Sequence, residues 1–214
     1  MFLIKSQMRV LEIGAGEGGV LRAFTERGCK AVGVELDPLR VEWACGFLWE
    51  EIGRGQLFYV EKDIYKTDLI NELKGGFDII LLKDVIEHIH DQKKLMGWMQ
   101  QFLKPSGAIY FGFPPWQMPF GGHQQLCTHS ILSKLPYYHL LPTFLYKFIL
   151  SIAKQPVADL LEIKETGISI EKFEKFALQT NYKILHNIHY LINPIYEYKF
   201  NLKPKIQFGF IKAI

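Results

Sequence analysis

The chain has 214 residues, 49% of them hydrophobic and 14% aromatic, with a formal net charge of +3. That length suits one domain with a substantial core, and so high an apolar share excludes a disordered chain. No run of lysine or arginine concentrates the charge, which argues against a nucleic-acid partner.

The opening Met1-Phe2-Leu3-Ile4-Lys5 lacks the sustained apolar stretch of a secretory leader. Next comes Val10-Leu11-Glu12-Ile13, which reads as a short buried strand stopping at Gly14. The glycines of Gly14-Ala15-Gly16-Glu17-Gly18-Gly19 allow a tight turn whose backbone can approach a ligand. A helix is expected over Gly18–Glu26, and its free N–H groups make the loop before it a cradle for a nucleotide-like ligand. A second strand, Ala31 to Val34, ends in Glu35. An acid there, about 20 residues beyond the glycine loop, is placed to accept from both hydroxyls of a ribose. Asp37 then caps a helix that opens on Pro38 and runs to Trp49. Gly14, Gly16 and Gly19 also satisfy the G-x-G-x-x-G spacing, so at this point a dinucleotide and another nucleoside cofactor both fit.

A third strand, Leu57 to Val60, leads into Glu61-Lys62-Asp63-Ile64, with a weaker helix over Lys66–Leu73. A fourth, Phe77 to Leu82, runs into Lys83-Asp84-Val85-Ile86-Glu87-His88. A helix over Asp91–Phe102 precedes Leu103-Lys104-Pro105-Ser106-Gly107, a turn, and a fifth strand through Phe111. This ordered series resembles the class I S-adenosylmethionine-dependent methyltransferases, in particular the small-molecule (methyltransferase type 11) branch that includes ubiquinone-biosynthesis enzymes. The likeness is clear over residues 9–113 and looser over the last fifty. It implies an α/β, Rossmann-like fold: a seven-stranded, mostly parallel sheet with helices on both faces and a reversed C-terminal strand. A single domain over residues 1–214 is expected, with a lid inserted at about 114–165.

Within that insertion Pro114 to His123 is rich in helix breakers, and one or two apolar helices follow. Its most apolar stretch, Leu140 to Ala153, is interrupted by Pro142, Thr143, Lys147 and Ser151, and is shorter than the roughly 20 residues of a spanning helix. Beyond it, Ser169 caps a helix over Ile170–Gln179. Lys183–Ile192 and Tyr196–Leu202 read as strands joined at Asn193-Pro194, and Phe208–Ile211 as a further one. Cys29, Cys45 and Cys127 are odd in number and widely spaced, which suggests neither a disulfide framework nor a zinc site. A cytoplasmic protein is expected.

The resemblance implies that Glu12, Gly14, Ala15 and Gly16 hold the methionine part of S-adenosylmethionine, with the Lys83 carbonyl meeting its ammonium. It implies Glu35 on the ribose, Leu36 and Ile64 beside the adenine, Asp63 on the adenine amino group, and Val85 along the adenine or transfer channel. His88 and His90 are two apart and do not face one another on a helix, so no metal is expected. His123 follows two glycines beyond the fifth strand and is the candidate catalytic base for a hydroxyl acceptor. Trp116, Phe120, Tyr137, Tyr138, Phe144, Tyr146 and Phe148 either line a pocket for an apolar or aromatic small-molecule acceptor or form the insertion's own core. Membrane contact is not expected, because the segment carries little positive charge. Two readings compete. One is a non-catalytic S-adenosylmethionine-binding module. The other is an NAD-dependent dehydrogenase, which lacks its Tyr-x-x-x-Lys here.

Overall fold

The computed structural model describes residues 3–66, 73, 76–192, 197 and 201–206. The chain divides into two compact units, Met1–Pro114 and Pro115–Ile214.

The first unit alternates strand and helix: β1 (Arg9–Ile13), α1 (Gly19–Thr25), β2 (Lys30–Glu35), α2 (Pro38–Phe47), α3 (Trp49–Gly53), β3 (Leu57–Glu61), β4 (Phe77–Lys83), α4 (Gln92–Met99) and β5 (Leu103–Gly112). The strands form one parallel sheet in the order β3-β2-β1-β4-β5. Ile13 pairs with Val34 on one side and Leu82 on the other, so β1 lies at the switch point of the sheet. In such sheets the crevice beyond the carboxyl ends of the strands at the switch point takes the ligand. Nearly continuous apolar runs in β1, β2 and β4 suit the middle of a parallel sheet, whose strands are covered on both faces. Val10, Leu11, Ile80 and Leu82 are at most 1% exposed.

The Lys104–Gly107 turn expected before β5 is absorbed within it. Leu103 stands opposite Phe77 and Ala108 opposite Ile79, so the intervening residues bulge out of register. The helix expected over Pro38–Trp49 breaks at Leu48, where φ is −113°. Asp37 accepts from the Leu39 N–H at 2.9 Å and Pro38 takes the first helical position. An Asp37→Ala variant is expected to lose about 1 kcal/mol of stability by urea denaturation; an unchanged midpoint would mean the cap contributes nothing here.

The second unit holds α5 (Thr143–Ile152), α6 (Val157–Thr166) and α7 (Ile170–Gln179), with the Ser169 hydroxyl capping α7 at the Lys172 N–H. Tyr138, Tyr146, Leu150, Leu160, Cys127 and Leu132 form its core. β6 (Tyr190–Ile192) pairs antiparallel with β7 (Lys205–Ile206). The seven-stranded sheet is therefore corrected: among the described residues it has five strands, all parallel, and the tail's strands pair with each other. The strand expected over Lys183–Ile192 shrinks to its last three residues. Leu185 upstream is 72% exposed, so no neighbour rewards extension there. The expected helix over Lys66–Leu73 and strands over Tyr196–Leu202 and Phe208–Ile211 lie largely or wholly outside the described residues. Among the described residues no helix is long and apolar enough to cross a membrane.

Candidate cofactor site at the carboxyl end of the sheet

The glycine loop leaves β1 and is tied to the neighbouring strand. The N–H groups of Gly14 and Ala15 both donate to the Val34 carbonyl, at 2.8 and 3.1 Å. Gly14, Gly16 and Gly18 have φ of 67°, 52° and 78°, the left-handed region that favours glycine. A Cβ at Gly14 would lie 2.4 Å from Val85 Cγ2, so β4's extension packs directly on the loop. Gly19 differs: a Cβ there would meet nothing within 4 Å. The third glycine of the dinucleotide spacing therefore answers no packing need.

Glu35 ends β2 and is nearly buried. One carboxylate oxygen accepts from the Gly16 N–H at 2.8 Å; the other accepts from Leu36 at 2.8 Å and Asp37 at 3.0 Å. A carboxylate has about four lone-pair sites, so three are used and one remains. That capacity suits one hydroxyl of a ribose, where the sequence reading expected both. Leu36, the next residue, is 67% exposed and offers a bare apolar surface beside that carboxylate.

Glu12 lies 3% exposed within β1, and its Oε2 has no hydrogen-bond partner. Burial pushes its carboxyl up to about 8; the Lys83 ammonium pulls it down and the Glu35 charge pushes it further up. A buried acid oxygen without a donor is costly unless something supplies one. A ligand ammonium would do so. The Tyr59 hydroxyl is also buried without a partner, and a Cβ at Gly18 would lie 2.3 Å from it. Sequence reading missed Tyr59 because it sits in an apolar strand pattern. The available signal was that a buried tyrosine hydroxyl wants a partner.

At the end of β4 the Lys83 ammonium bonds the Asp84 carboxylate, and both side chains are about half exposed. The Asp84 N–H donates to the Gly112 carbonyl at 2.7 Å, and its φ is 55°. Glu87, in the tight turn Ile86–His88, is 3% exposed with both oxygens unpartnered; burial pushes its carboxyl up to about 7. Past β3, the Lys62 N–H donates to the Glu35 carbonyl at 3.1 Å, which fastens that strand end to the site. Asp63 accepts from the Tyr65 N–H at 2.9 Å and so closes its own turn; Ile64 is half-buried.

Glu12, Gly14, Ala15, Gly16, Glu35, Leu36 and Val85 thus converge at the switch point, with Lys83, Asp63 and Ile64 at the adjoining strand ends. A ligand carrying an ammonium group and a ribose fits this donor and acceptor set.

The second unit is built differently. His123 is half-buried with φ 53°, and its N–H donates to the Phe120 carbonyl at 3.2 Å. His139, which the sequence did not single out, is fully buried. Burial lowers the pKa of its ring and keeps it neutral. Nε2 lies 2.8 Å from the Trp116 carbonyl, so it carries the proton, and Nδ1 accepts from the Gln124 amide at 2.7 Å. The Lys164 ammonium donates to the His139 and Leu141 carbonyls at 2.7 and 2.9 Å. Gly121 and Gly122 have packing reasons to lack a side chain: their Cβ atoms would meet the Trp116 carbonyl at 2.5 Å and His139 Cβ at 2.4 Å. The aromatic residues divide. Tyr138 and Tyr146 are core and Trp116 meets His139 edge-on at 4.6 Å, whereas Phe120, Tyr137, Phe144 and Phe148 are exposed.

The family described as methyltransferase domain matches residues 1–128. Over 122 residues the chain is 34% identical to an uncharacterized methyltransferase of Mycobacterium sp. (strain KMS) and 29% identical to one of Mycobacterium leprae (strain TN). Those matches cover 57% of this chain but only 45% and 43% of the relatives, so the chain spans less than half their length. The Haemonchus contortus phosphoethanolamine N-methyltransferase 2, solved with S-adenosyl-L-methionine, is similar in fold: TM-score 0.58, 22% identity, 91% of this chain and 37% of that one. The Mycobacterium tuberculosis cyclopropane synthase MmaA2 gives TM-score 0.58 at 19% identity, over 88% of this chain and 59% of that one. With a family match over more than half its length, the chain belongs to the methyltransferase-domain family, on the fold of the class I S-adenosylmethionine-dependent methyltransferases.

Proposed function

We propose that this chain binds S-adenosylmethionine and transfers its methyl group to a small-molecule acceptor of apolar or aromatic character. The observation that carries the reading is the pair of acids flanking the glycine loop: Glu35 with one acceptor site left, and Glu12 with its buried Oε2 lacking a donor. When bound, the cofactor supplies a sulfonium-activated methyl group open to in-line displacement. The chain's own work is then to hold and orient. Glu12 and the Lys83 carbonyl receive the ammonium, with Gly14, Ala15 and Gly16 around the methionine chain. Glu35 takes a ribose hydroxyl, Leu36 and Ile64 flank the adenine, Asp63 takes its amino group and Val85 closes the channel. His123 is the residue we assign to removing a proton from a hydroxyl acceptor.

The test is calorimetric titration with S-adenosylhomocysteine, with NAD as control. Wild type is expected to bind at micromolar Kd and to ignore NAD. Loss of a charge-assisted hydrogen bond in Glu35→Ala is expected to weaken binding roughly tenfold or more, while His123→Ala binds as wild type does. NAD binding in place of S-adenosylhomocysteine would overturn the reading.

A further inference from the structure

Helix α5, Thr-Phe-Leu-Tyr-Lys-Phe-Ile-Leu-Ser-Ile, is apolar on two sides. Its inward side carries Tyr146 and Leu150, both 0% exposed. Its outward side carries Phe144, Phe148 and Ile152, which are 76%, 60% and 67% exposed. Spaced four apart, these three form one line along the helix. Isolated exposed apolar side chains are ordinary, but a contiguous line of large ones marks a contact surface.

Charge identifies the occupant. No aspartate or glutamate occurs between Asp91 and Asp159. In the second unit that acid-free stretch carries Lys134, Lys147 and Lys154, all exposed. Lys147 sits on α5 itself, between Phe144 and Phe148, and Lys154 lies just past its end. The unit's exposed carboxylates nearest in sequence, Asp159, Glu162 and Glu165, stand on α6. The apolar line itself is bordered by the Lys147 and Lys154 ammonium groups, which matches the boundary of an anionic bilayer. Acyl chains take the phenylalanines, and lysines reach up to the headgroups on their aliphatic stems. We infer that the outer face of α5 is a docking surface for anionic lipid, the helix lying in the interface. Low positive charge made membrane contact unexpected; the outward turn of the stripe and the exposed Lys147 and Lys154 beside it point the other way. This surface does not rest on the methyl-transfer reading.

The experiment is flotation of the full chain with vesicles of phosphatidylcholine alone and of phosphatidylcholine mixed with phosphatidylglycerol. Binding is expected to the mixed vesicles, at least about tenfold weaker to the neutral ones and weakened by raised salt. Phe144→Glu/Phe148→Glu is expected to lose it about tenfold or more, and Lys147→Glu/Lys154→Glu to weaken it. These side chains are exposed, and circular dichroism checks that each variant keeps the fold. Equal binding to both vesicles, no binding, or binding that survives in Phe144→Glu/Phe148→Glu overturns the inference. Self-association in light scattering that this variant removes, without vesicle binding, overturns it in favour of a second copy of the chain.

Discussion

Replacing Gly14 by alanine is expected to destabilise the chain by about 2–5 kcal/mol, from left-handed strain of about 1–2 kcal/mol plus overpacking of about 1–3. The strain arises at φ 67° and the overpacking from a Cβ set 2.4 Å from Val85 Cγ2. Valine is stiff at χ1 and cannot swing its methyl aside cheaply. Relief then requires the loop or the end of β4 to move, and either movement opens the cradle formed by Gly14, Ala15 and Gly16. S-adenosylhomocysteine binding should be lost with the stability. The other glycines of the same motif make the comparison sharp. At Gly16 a Cβ would meet only the Arg40 guanidinium, at 3.7 Å, so Gly16→Ala carries the strain at φ 52° alone and should cost about 1–2 kcal/mol. Gly19 begins α1 with open space around it, and Gly19→Ala should be neutral or gain a few tenths of a kcal/mol. Urea denaturation of the three variants ranks them. Equal losses at Gly14 and Gly19 would contradict the packing account.

The first unit was legible because its central strands β1, β2 and β4 are buried and read as short apolar runs, while the residues between the strands must turn. Val10 to Gly14, Ala31 to Glu35 and Phe77 to Lys83 each place a polar or glycine residue at the carboxyl end of a run. Asp37-Pro38 likewise carries its own helix start. The second unit was not legible in this way. Periodicity in Phe144, Leu145, Phe148, Ile149 and Ile152 announces a helix, but where both faces are apolar it cannot say which is covered. Packing covers Tyr146 and Leu150 and leaves Phe144 and Phe148 outside, so of the aromatics that were read as pocket lining or core, these two are not core. His139 was invisible for another reason. Its burial depends on the missing side chain of Gly122, 17 residues upstream, and on Gln124 and Trp116 meeting it in space. The site's acids were found by position, yet their protonation was not, since that depends on who fails to bond them.

Glu12 supplies the second large effect, through pH. Its carboxyl, 4.5 when solvated, is pushed up to about 8 chiefly by burial. The folded chain therefore holds a proton there that the unfolded chain gives up. Stability from this group is fully present below about pH 4.5 and is lost as pH rises to about 8. At 1.36 kcal/mol per pKa unit the loss is on the order of 5 kcal/mol. Glu87, pushed up to about 7 by burial, adds a loss in the same direction, on the order of 3 kcal/mol, complete by about pH 7. Glutamine cannot ionise, so Glu12→Gln should match wild type near pH 4.5 and exceed it by a few kcal/mol above pH 8, with Glu87→Gln flattening the lower part of the curve. Binding should run the other way. A ligand ammonium beside Glu12 favours the carboxylate, so wild-type affinity for S-adenosylhomocysteine should rise between pH 6 and about 8, with proton release. In Glu12→Gln binding should be weaker and flat. The measurements are urea midpoints across pH and calorimetry in two buffers of different ionisation enthalpy. Parallel stability curves for wild type and Glu12→Gln would mean that this acid is not buried neutral. The same buried proton then ties the two results together: the chain is most stable where Glu12 is uncharged, and binds best where a cation draws that charge out.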